Sequence, residues 1–328
     1  MNSRQPMPQA ANVHFFDAHP AFGDCRSEIV AGLQREQKTL DPKWFYDAEG
    51  SAIFERITRL PEYYPTRAEV SILTSQREAI AQRCGLGSVF IEPGAGNCAK
   101  ARLLLDALRP SAFVPLDISA DFLFAAARGV GEDFPWLEVT ALCADFRDFR
   151  SFEDHLPVGR RVLFYPGSTI GNLDPDHAIE FLSEARDLVG ADGGALIGVD
   201  LHKSTGRLES AYNDAQGVTA EFNLNILRRV NDLVGSDFDP DRFAHRAFYN
   251  ERLRRIEMHL VSEQTQSVCI DGLPFHFEAG ESIHTESSYK YSVEDFSDLA
   301  ARAGLQRRET WLDHDGLFAL HYLEPLHQ

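Results

Sequence analysis

The alternation of strands and helices over residues 88–201 most narrows the folds open to this chain. Short apolar runs such as SVFIEPGAG and AFVPLDIS precede amphipathic segments, NCAKARLLLDAL and DFLFAAARGV. EVTALCADF, RRVLFYPGSTIGNL and GALIGVDL supply three more strand-like runs. Apolar strands that alternate with helices need cover on both faces. The pattern therefore predicts an α/β fold with a parallel, doubly wound, Rossmann-like sheet.

The segments on either side of this region have a different pattern. SEIVAGLQREQ, GSAIFERITRL and TRAEVSILTSQREAIAQRC have helical periodicity, and the last is expected to be one helix capped by Thr66 with Glu69 three residues on. After Leu201 a mixed helical stretch precedes strand-like RAFYNERLRRIEMHLVSEQTQSVCI. SVEDFSDLAARAGL predicts a helix capped by Ser292, and two closing strands follow.

These changes of pattern predict two domains. We expect a Rossmann-like domain from residues 60–201 and 290–328, and an added substrate-binding domain from residues 14–59 and 202–289. The added domain would lie against the mouth of the sheet, where ligands of open parallel sheets bind.

Charge and cysteine content narrow the class of partner. The chain has 32 Lys and Arg against 50 Asp and Glu, for a net charge of −18. Such a field repels nucleic acid and anionic membrane surfaces, so we expect a small molecule as the partner rather than either of these. We also expect a monomer. Five scattered cysteines without a CxxC pair, and twelve histidines without ligand spacing, predict no metal site and a cytoplasmic location.

A glycine-rich loop follows the first strand of the alternating region. Residues 94–99, GAGNCA, fit G-x-G-x-x-A, and Glu92 stands two residues before the first glycine. Asp117 closes the next strand, and Asp145-Phe146 end the third. The pattern suits NAD or S-adenosylmethionine, although both aspartates could simply cap helices. Glu92 would repel a pyrophosphate and attract a sulfonium, which favours S-adenosylmethionine.

Six stretches carry a resemblance to a known family: KWFYDAEGSAIFERITRLPEYYPTRAE, EPGAGNCAKARLLLDAL, FYPGSTIGN, AYNDAQGVTAEFN, RRIEMHL and HTESSYKY. Together, from about residue 15 to 325, the chain resembles the histidine-specific methyltransferases. That family trimethylates the α-amine of L-histidine to hercynine, the first step toward ergothioneine. The resemblance implies a class I methyltransferase fold and the same activity.

The resemblance also implies a set of site residues. The cofactor positions it gives, together with the glycine loop, are Glu92, Gly94, Gly96, Lys100, Asp117, Asp145 and Phe146. The residues implied to hold histidine for the reaction are Tyr63, Gly167 and Asn172, with further contacts from Tyr46, Tyr212, Met258, Glu286 and Ser288. Asn172 and Tyr212 are expected to donate to the substrate carboxylate.

HTESSYKY is the stretch expected to recognise the side chain of the substrate. Glu286 and Ser288 are two residues apart, so on a strand they share a face and Ser287 points away. A carboxylate and a hydroxyl there can hold the two nitrogens of an imidazole. Three alternatives are methylation of another amino acid such as tryptophan, a non-catalytic module that binds S-adenosylmethionine, and an NAD-dependent oxidoreductase.

Overall fold

The computed structural model of the protein describes residues 12–17, 24–144, 149 and 152–326. The described strands are β1 (Val13–Asp17), β2 (Lys38–Thr39), β3 (Val89–Pro93), β4 (Ala112–Asp117), β5 (Glu138–Cys143), β6 (Arg161–Tyr165), β7 (Gly194–Asp200), β8 (Phe243–Asn250), β9 (Arg255–Ser262), β10 (Gln266–Ile270), β11 (Leu273–Phe277), β12 (Ser282–Tyr289), β13 (Leu305–Leu312) and β14 (Phe318–Pro325). The described helices are α1 (Cys25–Leu33), α2 (Ala48–Ile57), α3 (Tyr64–Ser75), α4 (Arg77–Cys84), α5 (Ala99–Leu108), α6 (Ala120–Asp133), α7 (Pro175–Val189), α8 (Thr205–Tyr212), α9 (Val218–Val234) and α10 (Val293–Arg302). Two of the residues expected to contact the cofactor, Asp145 and Phe146, lie outside the described residues.

An eight-stranded sheet in the order β1-β5-β4-β3-β6-β7-β14-β13 forms the larger part of the molecule. The first six strands pair in parallel, and β14 and β13 close the sheet antiparallel. Every residue of β3 and β7 is buried, as strands covered on both faces require. The predicted Rossmann-like α/β fold is confirmed.

A second sheet, in the order β2-β12-β9-β8, lies beside the carboxyl end of β7. Leu201, directly after β7, pairs with Tyr291, two residues after the end of β12, and this bridge joins the two sheets. The helix α9 packs against α2, α1 and β8, and Phe222 of α9 stacks on Phe45 with ring centroids 4.5 Å apart. The smaller sheet and these helices therefore share one apolar core with the large sheet.

Two expectations about the first third of the chain are wrong. Residues 14–17 belong to β1, which pairs with β5 in the large sheet, rather than to the added domain. The expected long helix is two helices that break at Gln76, and its first turn is preceded by Tyr63 rather than capped by Thr66. The break lets α3 pack on β14 while α4 packs on α5.

The helix α10 begins as its sequence predicts. Ser292 accepts a hydrogen bond from the Asp295 backbone, and the Asp295 side chain accepts one in return, so a complete capping box is formed. In the described part of the chain, no helix is both long enough and apolar enough to span a membrane.

Candidate active site

The strand β12 presents Glu286 and Ser288 toward the interior of the molecule. Glu286 lies opposite Met258 of β9, and the pairing shifts register just before it. Within this bulge the Thr285 hydroxyl donates to Asn223 Oδ1 of α9 at 2.7 Å. Because a bulge re-aims the residues that follow it, this anchor sets the direction of the Glu286 side chain.

Glu286 is a buried carboxyl, 8% exposed, with no hydrogen bond or ion pair to any described residue. Burial raises its pKa to about 7, and the charge of Lys290 opposes that rise. A carboxyl in such surroundings gains from a ligand that donates a hydrogen bond to it. It is therefore the unsatisfied acceptor of this pocket.

Three tyrosines, Tyr46, Tyr63 and Tyr212, surround Glu286. Burial raises the pKa of each hydroxyl, and the negative charge of Glu286 raises it further. The rings of Tyr63 and Tyr212 meet edge to face with centroids 6.3 Å apart. Burial and the charge of Glu286 thus keep the three hydroxyls protonated, so each hydroxyl can donate a hydrogen bond.

The neighbouring Tyr64 faces away from this pocket. Its hydroxyl donates to both oxygens of Asp200, at 2.7 and 3.0 Å, and accepts from Lys203 at 2.7 Å. Spacing alone cannot say which of these two adjacent tyrosines faces the site, whereas the resemblance selects Tyr63. Tyr63 belongs to the pocket, and Tyr64 to an ion cluster beneath it.

Ser288 is tied to this cluster through Lys290. The Lys290 ammonium is buried and donates to Ser288 Oγ at 2.7 Å, while pairing with Asp200 at 2.8 Å. The Tyr212 hydroxyl donates to Ser288 Oγ at 2.9 Å. In this structure the Tyr212 hydroxyl orders Ser288, and its expected contact with the substrate carboxylate stays a prediction.

The loop after β6 forms the opposite side of the pocket. Gly167 has φ +82°, and its backbone N–H donates to both oxygens of Glu69, at 2.9 and 3.0 Å. Glu69 is fully buried and pairs with Lys100 at 2.6 Å. Sequence reasoning gave Glu69 only a helix-capping role and missed this function, for which the sequence offers no local signal.

Asn172 ends the short 3-10 helix Thr169–Asn172 and is half-buried. Its side-chain amide has no hydrogen bond within the described part of the chain. The adjacent Gly171 packs against β12 so closely that a Cβ atom added to Gly171 would lie 2.8 Å from the Tyr289 carbonyl oxygen. This close approach brings the free amide of Asn172 next to the strand that carries Glu286.

The glycine loop sits at the carboxyl end of β3, as the sequence predicts. Gly94 and Gly96 have φ of +66° and +53°, which favour glycine over other residues. Asp117 at the end of β4 accepts the backbone N–H groups of Gly96 and Ser119, each at 3.0 Å. It therefore braces the loop that would approach a nucleoside.

Glu92 lies buried under this loop, with Oε2 unpartnered among the described residues. Burial raises its pKa well above the usual range, and the charge of Lys100 opposes that effect. A cationic ligand group above the loop would supply the missing counter-charge, while a pyrophosphate would not. These residues fit the sulfonium and ammonium groups of S-adenosylmethionine.

An open cleft of about 730 Å³ runs beside this loop, lined by Asp17, Ala48, Ser119, Ala120, Asp121, Phe122 and Ala125. The pKa of Tyr46 is raised by burial and then by the charges of both Glu286 and Asp117. Tyr46 therefore lies between the carboxyl pocket and the cleft, where a methyl donor and an acceptor would meet.

The opposite face of β12 carries a separate cluster. Ser287 points there, as predicted, and its hydroxyl lies 3.1 Å from His284 Nε2. Glu257, His259 and His284 bring three potential ligand atoms within 4.8 Å of one another. Arg255 already pairs with Glu257 at 2.7 Å, so the carboxylate has its counter-charge and we assign no metal there.

Comparison with known proteins identifies the family of the chain. A family model described as SAM-dependent histidine-specific methyltransferase matches residues 25–325. The chain belongs to this family. It is 42% identical over 313 residues to the histidine N-alpha-methyltransferase of Mycolicibacterium smegmatis, covering 94% of this chain and 97% of that one.

The relatives of this chain differ in the substrate that their names give. The histidine N-alpha-methyltransferase of Mycobacterium tuberculosis is 41% identical over 305 residues, which cover 90% of this chain and 93% of that one. A 4-dimethylallyltryptophan N-methyltransferase of Arthroderma benhamiae is 28% identical over 303 residues, which cover 87% and 88%. Membership of the family brings S-adenosylmethionine as the methyl donor.

Proposed function

We propose that this protein transfers three methyl groups, one at a time, to the α-amine of L-histidine and forms hercynine, the first step toward ergothioneine. The observation that carries the proposal is the buried carboxyl of Glu286, which has no partner among the described residues and lies beside the hydroxyl of Ser288. A neutral imidazole has one N–H donor and one acceptor nitrogen, which match a carboxylate and a hydroxyl.

The chain's task in the reaction is to orient a neutral amine. Bound S-adenosylmethionine supplies a methyl group on a sulfonium, which is displaced in line. Neither the Asn172 amide nor the Tyr63 hydroxyl makes a hydrogen bond to the described residues, so the amide can donate to the substrate carboxylate and the hydroxyl can also contact the substrate. Such orientation alone can lower the barrier by several kcal/mol.

The loop at Gly167 is suited to the amine itself. Because Glu69 takes its N–H, the Gly167 peptide is fixed, and the absence of a side chain leaves room for an amine that gains methyl groups. Met258, opposite Glu286, would form the wall behind the imidazole. We propose a site with no dedicated metal and with residues Tyr63, Gly167 and Asn172 placing the amine.

Tryptophan is the second candidate, because the relative from Arthroderma benhamiae is named as a methyltransferase of a tryptophan derivative. An indole has a single N–H and no acceptor nitrogen, so it would leave the hydroxyl of Ser288 unmatched. Both histidine N-alpha-methyltransferases are more similar to this chain than that relative is. Histidine is therefore the favoured acceptor.

The test is to supply the purified protein with S-adenosylmethionine and either L-histidine or L-tryptophan, and to follow products by mass spectrometry. We expect trimethylated histidine, with three equivalents of S-adenosylhomocysteine, and no methylated tryptophan. The absence of any methylated histidine would contradict the proposal. We also propose that the protein is a cytoplasmic monomer. Size-exclusion chromatography with light scattering checks the oligomeric state.

A further inference from the structure

Lys290 is a buried cation directly behind the residues that face the ligand. Its side chain is 1% exposed, and its Nζ lies 2.8 Å from Asp200, 2.7 Å from Ser288 Oγ and 3.3 Å from the Tyr212 hydroxyl. An ammonium has three donors and no acceptor, so each of these three oxygens accepts from it. The contacts account for all of its hydrogen-bonding capacity.

This arrangement fixes what the Ser288 hydroxyl can do. Its oxygen accepts from Lys290 and from Tyr212, which uses both lone pairs. The only remaining capacity of Ser288 is its own proton. That hydroxyl can donate to a ligand but cannot accept from one.

We propose that Lys290 is a positioning residue that makes Ser288 an obligate hydrogen-bond donor to the acceptor nitrogen of the substrate ring. This inference rests on the proposed function, because it takes the imidazole of histidine as the ligand. With Glu286 as acceptor and Ser288 as donor, the pocket selects a neutral ring that has both an N–H and a bare nitrogen. Without Lys290, the Ser288 hydroxyl is free to turn and the selection is lost.

Asp200 makes this use of a buried lysine possible. Burial alone would raise the pKa of Asp200, but the charges of Lys290 and Lys203 hold it below its usual value. The carboxylate therefore stays ionised and pairs with the buried Lys290 ammonium. Since Asp200 ends β7 and Lys290 follows β12, the donor role of Ser288 depends on the junction of the two sheets.

The test compares two ligands in the wild type and in Lys290→Met. L-histidine and pyrrolylalanine both offer an N–H to Glu286, but only histidine has the acceptor nitrogen. Their affinities are measured by calorimetry in the presence of S-adenosylhomocysteine. We expect the wild type to prefer histidine by about tenfold, as for one lost hydrogen bond, and the variant to lose most of that preference.

The ratio of affinities separates positioning from a general structural role. Loss of Lys290 also removes a positive charge near Glu286. Both ligands donate an N–H to that carboxyl, so this change affects their two affinities equally and cancels in the ratio. A structural defect would weaken both ligands and keep the preference. In a Ser288→Ala background, Lys290→Met is expected to change the preference no further, since the lysine acts through the serine.

The outcomes distinguish this inference from the proposed function. A wild type that neither binds nor methylates histidine would refute the function. A wild type that binds histidine, with an unchanged preference in Lys290→Met, would refute the inference alone. If that variant fails to fold, Asp200→Asn/Lys290→Met removes one buried charge of each sign, and the same two ligands are compared in it. Lys203 remains, and burial already lowers its pKa to about 8.

Discussion

Burial of the Glu286 carboxyl without a partner in the described residues costs folding free energy. Its pKa is about 7 in the folded protein, against 4.5 for an exposed glutamate. Below the lower value both folded and unfolded states hold the proton. Between the two values the unfolded chain releases its proton first, so the native state loses stability as the pH rises.

The first prediction is therefore a pH-dependent gain of stability in Glu286→Gln. A glutamine does not titrate. The free energy of unfolding of the variant should therefore increase relative to that of the wild type as the pH rises from 4.5 to about 7. At about 1.4 kcal/mol per pKa unit, the gain amounts to about 3 kcal/mol. Urea unfolding of both proteins across this pH range measures it. Parallel stability curves would contradict the prediction.

Glu69 is a second residue whose role becomes evident only in three dimensions. Its carboxylate holds the Gly167 peptide and pairs with Lys100, so one buried side chain links the loop after β6 to the helix after the glycine loop. In the sequence it stands three residues after Thr66, where a capping box was the natural interpretation. Glu69 and Gly167 are 98 positions apart in the sequence, and no local pattern pairs them.

At the scale of elements, the bulge in β12 decides where the ring-binding residues point. Thr285 anchors it by donating to Asn223 of α9 at 2.7 Å and to the Met258 carbonyl at 3.1 Å. A side-chain period of two means that any slip of the strand would turn Glu286 to the wrong face. The anchor to α9 therefore protects the register of the site.

The second prediction is that Thr285→Val weakens histidine binding more than Ser287→Ala does. Valine keeps the shape but leaves the buried Asn223 oxygen unpaired, which should lower the free energy of unfolding by about 1–3 kcal/mol and raise the KM for histidine severalfold. Ser287 lies on the other face, where its hydroxyl contacts His284. We expect its loss to change the KM by less than about twofold. Steady-state kinetics and urea unfolding check both variants, and equal effects would contradict the prediction.

Elements with a strong local signal were predicted well, and those set by packing were not. The glycine loop, the alternating strands and the Ser292 cap depend on neighbours in sequence, so their patterns were legible. The break at Gln76 has no glycine or proline to mark it. Both helices pack on α5, and α3 also packs on β14, so the break depends on tertiary contacts. β1 is a short apolar run, VHFFD, whose partner β5 is more than a hundred residues away.

At the scale of the whole molecule, the two sheets meet at a buried ion cluster. Asp200 at the end of β7 is contacted by Tyr64, Lys203 and Lys290, and its backbone N–H donates to Ser168 Oγ at 2.9 Å. Only Asp200 and Lys203, three residues apart, are neighbours in sequence, whereas Tyr64, Ser168 and Lys290 come from distant parts of the chain. The site could thus be named from its resemblance to a family, while the support beneath it could not.

The last prediction uses two adjacent tyrosines to separate this support from the site. Tyr64→Phe removes a hydroxyl that donates to Asp200 and accepts from Lys203, whereas Tyr63→Phe removes one with no partner among the described residues. We expect Tyr64→Phe to lower the free energy of unfolding by about 1–3 kcal/mol, because hydrogen bonds to charged groups are lost. Tyr63→Phe should leave stability within about 0.5 kcal/mol and raise the KM for histidine.

Thermal and urea unfolding measure the stability of each variant, and steady-state kinetics measure its KM for histidine. The Tyr64 change should move stability while histidine affinity changes little, and the Tyr63 change should do the opposite. Both side chains are buried, and the loss of a single hydroxyl oxygen is the same in each, so burial and volume are matched. If both variants lost stability alike and kept histidine affinity, the division between pocket and support would be wrong, and Tyr63 would not contact the substrate.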